Sequence, residues 1–270
     1  MSRRPIRYLA RRHLHGIARL VASMLLIFSC SSVMAAPLRI AVSANFKSTL
    51  ETLVAAYTAS GSGNTLESAE QPEQPRIDII AGATGALYAQ IVNGAPYDIL
   101  LAADRLRPTL LVEAGLASSK GHFIYATGQL VFWVPGGITP VTAATFMATN
   151  SPIAIANPAL APYGLAAKSV IDQLKPGHQA LVYGNNINQA FQFVESGNAA
   201  AGFVALSQVQ TRSTPGNWWL IPANLYPAIH QEAVVLKDAS QAAWQFADWL
   251  RSAAAQQIIR EAGYLTPAGP

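Results

Sequence analysis

Four short segments of the chain are rich in hydrogen-bonding groups and free of charge. They are Ser43-Ala44-Asn45-Phe46, Gly82-Ala83-Thr84-Gly85-Ala86, Ala161-Pro162-Tyr163-Gly164 and Gly184-Asn185-Asn186-Ile187-Asn188. Each mixes amides, hydroxyls, glycines or a proline suited to a helix start, and none contains Lys, Arg, Asp, Glu or His. Such segments offer hydrogen-bond donors without formal charge. A helix N-terminus carries roughly half a positive charge, so four converging ends would offset on the order of two negative charges. That suits a small dianion held by backbone N–H groups and hydroxyls. The plainer reading, ordinary N-caps of an α/β protein with Asn45 capping the first helix, stays open on these residues alone.

The elements around these segments explain their placement. Residues 38–43 (LRIAVS) read as a strand, and 46–58 as a helix with apolar positions at Phe46, Leu50, Leu53, Val54 and Tyr57. Strands follow at 76–81 and 97–102, with helices at 86–92 and 106–114. Alternation of this kind predicts right-handed parallel crossovers. A second unit reads as strands at 129–134, 153–156, 180–183 and 201–205, with helices at 164–174 and 188–196. A last strand at 232–236 precedes a mostly helical stretch over 239–262. Residues 61–75 (GSGNTLESAEQPEQP) have the composition of a surface loop. Two α/β lobes are expected, with the four segments at strand-to-helix junctions, where ligands of such sheets bind.

Composition narrows the function. The chain has 270 residues, is 51% hydrophobic and only 12% charged, and has one Cys. It is therefore not a disordered chain, a disulfide scaffold or a CxxC metal protein. The formal charge of +4 would suggest nucleic acid, but six Arg and no acid fall within residues 1–36. The remainder holds 12 basic and 14 acidic residues of the 18 and 14 in the whole chain, a net of −2. That is not the footprint of a phosphate-backbone binder. The leader has an Arg-rich start, an apolar stretch at 20–28 (LVASMLLIF) and Val33-Met34-Ala35. This predicts a signal peptide over 1–35, cleaved near Ala35, and an exported mature chain without cysteine. Arg3-Arg4 and Arg11-Arg12 (a twin-arginine route) and Cys30 (a lipidation site) are weaker matches within the same segment.

The runs IAVSANFKSTLETLVAAY, GATGALYAQIVNGAPYDILLAADRLRPTLLVEAGL, IANPALAPYGLAAKSVI, GNNINQAFQFVESGNAAAGFVALSQV and AAWQFADWLRSAAAQQIIREAGY resemble, in order, the periplasmic molybdate-binding proteins of ABC importers. The resemblance covers nearly all of the mature chain. It implies a type II periplasmic-binding-protein fold: two lobes, each a mostly parallel sheet flanked by helices, with a ligand cleft between them. Lobe I would be 37–125 plus 226–270 and lobe II 126–225, with hinge strands near 125–129 and 226–232. By position, Asn45 and Thr84 correspond to first-lobe ligands, and Tyr163 and Ile187 to second-lobe backbone donors. Ala44 stands where some members have Thr. Ala205 stands where some members place a Tyr hydroxyl, and the chain resembles the branch that has a Tyr at position 163 instead.

The resemblance implies molybdate, with tungstate beside it, delivered to the membrane permease of an ABC importer by a periplasmic, monomeric protein. No cofactor is implied, and the only metal is the one inside the oxyanion. Molybdate and tungstate are dianions that only accept hydrogen bonds, whereas phosphate keeps a proton that a donor-only site leaves unpaired, at about 1–3 kcal/mol. Sulfate has the same charge and must be excluded by size. A sulfate or thiosulfate binder is the nearest alternative, and an exported enzyme the remote one. No catalytic motif is present: no GxSxG, HExxH, GxxxxGK[ST] or GxGxxG. His122, His178 and His230 read as surface residues, and Asp98, Asp104 and Arg105 as solvated or capping groups. Trp218-Trp219, Phe191, Phe193 and Phe203 read as packing.

Overall fold

The fold is described from a computed structural model, which places residues 36–61, 76–136, 140–177, 180–210 and 217–267. The described residues from Pro37 onward belong to one compact unit. The expected signal peptide, its cleavage point, Cys30, His178 and most of the 61–75 loop lie outside the described residues. Among the described residues no helix is long and apolar enough to cross a membrane.

The chain opens with β1 (Leu38–Ser43), a 3-10 turn at Ala44–Phe46 and α1 (Lys47–Ala59). Next come β2 (Ile77–Gly82), α2 (Thr84–Val92), β3 (Ile99–Ala102), α3 (Leu106–Glu113) and β4 (Phe123–Gly128). The second half runs β5 (Leu130–Val134), α4 (Ala143–Ala148), β6 (Ile153–Ala156), α5 (Pro162–Leu174), β7 (Leu181–Gly184) and α6 (Ile187–Glu195). It continues through β8 (Ala201–Ala205), α7 (Leu206–Gln210) and β9 (Asn217–Leu220). The return is β10 (Ile229–Val235), α8 (Gln241–Leu250) and α9 (Ala253–Glu261). The expected C-terminal helix is thus two helices. The second has a new N-cap, Ser252, whose hydroxyl accepts from the Ala255 N–H.

Two five-stranded sheets result, ordered β2-β1-β3-β10-β4 and β7-β6-β8-β5-β9. In each, three strands run parallel: β1 between β2 and β3, and β6 between β7 and β8. The other two strands of each sheet pair antiparallel. The parallel halves are the strands joined through helices, as a parallel connection requires. The antiparallel halves form where the chain passes between sheets. It does so once at Gln129, between β4 and β5, and again over 221–228. Each sheet is therefore mixed, with its parallel half carrying the strand-to-helix junctions.

Alternation along the strands sends side chains to both faces. In the first sheet Ile40, Val42, Ile99 and Leu101 meet Leu50 and Leu53 of α1, Phe246 of α8 and Ile259 of α9. Ala41, Leu100 and Ala102 face Leu87 and Leu111 of α2 and α3. In the second, Phe132, Ile155 and Phe203 pack with Phe146 and Val170, while Val131, Ala154 and Val204 pack with Phe191 and Val194. Trp219 lies against Phe146 from the edge strand β9, a packing role. Helices on both faces leave one end of each parallel half for a ligand.

Candidate functional site

Each of the four charge-free segments sits where a parallel strand hands over to a helix. Asn45 is the middle residue of the 3-10 turn after β1. Thr84 is the first residue of α2, Tyr163 the second of α5 and Ile187 the first of α6. Backbone N–H groups in the first turn of a helix have no partner within it. Local sequence sets these starts. Pro162 pre-forms the first turn of α5. Asn186 caps α6 by accepting from the Gln189 N–H at 3.1 Å. Asn45, by contrast, does not cap α1; its side chain bonds to distant residues.

The five residues singled out from sequence, Ala44, Asn45, Thr84, Tyr163 and Ile187, are all buried. Ala44, Tyr163 and Ile187 belong to one continuous cluster that also holds Ala83, Ala103 and Ala161. Thr84 is tied to that cluster because its Oγ1 accepts from the Ala103 N–H at 3.1 Å. Its own O–H finds no protein acceptor among the described residues. The two halves touch directly: the Gly85 N–H donates to the Leu160 carbonyl at 3.0 Å, and Ser207 Oγ donates to the Asn45 carbonyl at 3.4 Å. The lobes are therefore closed on one another around these segments.

Asn45 is held on every side. Its Nδ2 donates to Gln231 Oε1 at 3.2 Å and to the Tyr264 hydroxyl at 3.0 Å, and its Oδ1 accepts from Ser43 Oγ at 2.7 Å. Tyr264 donates in turn to the Asn45 carbonyl at 2.8 Å. With both side-chain N–H groups used, Asn45 offers a ligand its backbone. The Tyr163 hydroxyl accepts from Gln231 Nε2 at 3.4 Å and lies over Gly128. Ala205 is buried and its N–H goes to Gln208 Oε1. Burial pushes the Tyr163 and Tyr125 hydroxyls well above the usual phenol range, and the Tyr264 phenol adds to this. Burial raises Tyr264 to about 12, while its bonds with Ser207, Asn45 and Thr49 hold it down. All three stay protonated near neutral pH and bring no negative charge.

No Lys or Arg among the described residues is buried. Arg107 reaches the second junction, where a Cβ on Gly85 would lie 3.4 Å from its Nη2. Its Nη1 is bound to Asp104 Oδ2 at 2.7 Å, and its Nη2 reaches the Ala159 carbonyl at 3.5 Å. Lys47, at the start of α1, pairs with Glu51 at 2.9 Å. A cavity of about 280 Å³ opens beside Asn45 between α1 and α6, with Ala44, Lys47, Glu51, Asn188 and Glu195 in its walls. Only two of the five residues line it, and its carboxylates oppose an anion, so the neutral cradle is a separate feature.

The charged residues weighed from sequence have structural partners. Asp98 accepts from the Arg39 and Ser240 N–H groups, and Asp104 from the Arg107 N–H. His122 is not a free surface residue: its Nε2 pairs at 2.5 Å with Glu232, a buried carboxylate that Arg105 approaches at 3.5 Å. His230 is half-buried against Thr127. Gln231, Tyr125, Tyr264 and Ser207 were not visible as site residues in the sequence. The available signal was a polar residue, Gln231, next to a strand buried on both faces.

A family model for bacterial extracellular solute-binding proteins matches residues 38–265. The chain is 35% identical over 258 residues to the molybdate-binding protein ModA of Azotobacter vinelandii, covering 92% of this chain and 98% of that one. It is 40% identical over 191 residues to ModA of Rhodobacter capsulatus, covering 68% and 75%. The solved structure of the Azotobacter vinelandii periplasmic molybdate-binding protein superposes with a TM-score of 0.74 at 36% identity, over 86% of this chain and 100% of that chain.

Proposed function

The chain belongs to the bacterial extracellular solute-binding protein family, and from that premise we propose that it captures molybdate between its two lobes for an ABC importer. The single observation that carries the reading is the neutral cradle: three helix starts and one tight turn, drawn from both lobes, meet in a buried cluster, and no Lys or Arg among the described residues is buried. Relatives at 35–40% identity that bind molybdate support it. In this reading the backbone N–H groups of Asn45, Thr84, Tyr163 and Ile187 and the Thr84 hydroxyl donate to the oxyanion, and Ala44 lines the site. Tungstate, equal in charge and close in size, is bound as well.

The chemistry follows from the donor set. An ion that only accepts hydrogen bonds leaves no proton unpaired, and the helix ends supply compensating positive potential without a movable charge. Hydrogen phosphate would bring a donor into a site of donors, at about 1–3 kcal/mol. Closure of lobe I (37–125 with 226–270) on lobe II (126–225) buries the ion, and the closed form is what a membrane permease recognises. The protein is exported by a leader cleaved near Ala35, works in the periplasm as a monomer and carries out no covalent chemistry.

Thr84→Val tests the cradle. It keeps the side-chain shape and removes the one hydroxyl donor. Titration calorimetry should give a molybdate Kd weaker by about tenfold, the value of one lost hydrogen bond to a buried ion. An unchanged Kd would place Thr84 away from the ion. A sulfate affinity above that for molybdate would replace molybdate by the smaller dianion.

A further inference from the structure

We propose that Gln231 is a positioning residue that couples the two lobes' halves of the oxyanion site, so that its carboxamide sets how tightly the closed form holds the ion. The inference rests on the molybdate reading and extends it to a residue that does not itself touch the ligand. Gln231 is fully buried on β10, the strand by which the chain returns from the second sheet to the first. Its pairing with β4 is irregular at this point. Gln231 faces Ala126 and Glu232 faces Ile124, which leaves Tyr125 as the extra residue of a bulge. Bulges re-aim side chains beside functional sites. Here the bulge accompanies a Tyr125 hydroxyl that donates to Gln231 Oε1 at 3.0 Å.

The carboxamide spans the lobes. Oε1 also accepts from Asn45 Nδ2 at 3.2 Å, in the first lobe, and Nε2 donates to the Tyr163 hydroxyl at 3.4 Å, in the second. Asn45 and Tyr163 are the residues whose backbone N–H groups face the ion from opposite sides in the reading above. A carboxamide joins an acceptor and a donor in one planar group; an ionised Glu would lose the donor and Leu both. Asn45 has no spare side-chain N–H, so Gln231 acts by fixing the turn that presents the Asn45 backbone. A hydrogen-bonded chain with every member buried is felt as a unit. Displacing Tyr163 therefore disturbs Asn45, and the reverse.

The experiment is a double-mutant cycle read in molybdate affinity. Gln231→Leu, Tyr163→Phe and the double variant are titrated with molybdate by calorimetry, and small-angle scattering is recorded with and without the ion. Each single change should weaken binding about tenfold, and Tyr163→Phe should cost nothing further in the Gln231→Leu background. Scattering of the ion-free proteins should be alike, while Gln231→Leu with molybdate should stay more open than wild type. A Gln231→Leu affinity within twofold of wild type, or an undiminished Tyr163→Phe effect in its background, overturns the inference alone. Wild-type protein that takes up no molybdate overturns the function and this inference with it. Should Gln231→Leu not fold, Gln231→Met, close to Gln in shape, takes its place in the same cycle.

Discussion

Gly128→Val should reduce molybdate affinity by at least about a hundredfold while leaving both lobes folded. Gly128 ends β4 at the point where the chain leaves the first sheet. A Cβ there would meet the Tyr163 hydroxyl at 2.2 Å and the tip of Gln231 at 2.9 Å. The Gly128 backbone is not in the left-handed region, so valine is no strain in itself. The conflict is with Tyr163, which reaches Gly128 at the end of the first sheet from the helix α5. Overpacking of this kind costs about 1–3 kcal/mol or more, charged here against the closed form. Calorimetry should show weak or absent binding beside a melting temperature near that of ligand-free wild type. Tight binding by Gly128→Val would mean that Tyr163 does not need this seat for closure.

Gly164→Val should act on stability as well as on binding. A Cβ at Gly164 would come within 2.3 Å of the Ala156 carbonyl oxygen and 2.9 Å of the Asn157 carbonyl carbon. These are backbone atoms at the end of β6 and cannot swing aside. The start of α5 must lift off the sheet, and it takes with it the Tyr163 N–H and the packing of Ala166, Ala167 and Val170. We expect a loss of about 3 kcal/mol or more in unfolding free energy, together with loss of molybdate binding. Thermal melts with and without the ion would check both. A Gly164→Val protein with wild-type melting temperature and ligand shift would contradict the close approach.

Much of this arrangement was legible in the chain before the fold. The 3.6-residue spacing of Leu50, Leu53 and Tyr57 marks one face of α1, and these residues are buried as that spacing requires. The start of α5 is announced by Pro162 and that of α6 by its asparagines, because a helix start depends on a few adjacent residues. The polar chain behind the site was not legible. Asn45 looks locally like a cap, yet it is 186 residues from Gln231 and 219 from Tyr264. No local pattern reports a bond that depends on how two sheets are threaded. The same holds for β10, where His230, Gln231 and Glu232 break the apolar run, so that the strand looked shorter than the seven residues observed. His122 read as exposed for the same reason: its partner Glu232 is 110 positions away.

The cavity beside Asn45 differs electrostatically from the four junctions. It has Lys47, Glu51 and Glu195 in its walls, whereas the four junctions have none of these residue types. A cationic side chain would attract any anion, protonated or not. Peptide N–H groups and a hydroxyl favour ions that present acceptors in every direction. In the proposed function, selectivity against phosphate would follow from donors without ionisable groups in the cradle, and selectivity against sulfate from the span between the two sets of donors.

In the proposed function a fully ionised tetrahedral oxyanion is held by uncharged donors from both lobes. Titration calorimetry of the ligand-free protein with molybdate, tungstate, sulfate and phosphate, side by side at neutral pH, tests it most directly. We expect tight one-to-one binding of molybdate and tungstate, much weaker sulfate binding and none for phosphate. Equal affinity for phosphate and molybdate, or no heat with either molybdate or tungstate, would contradict it.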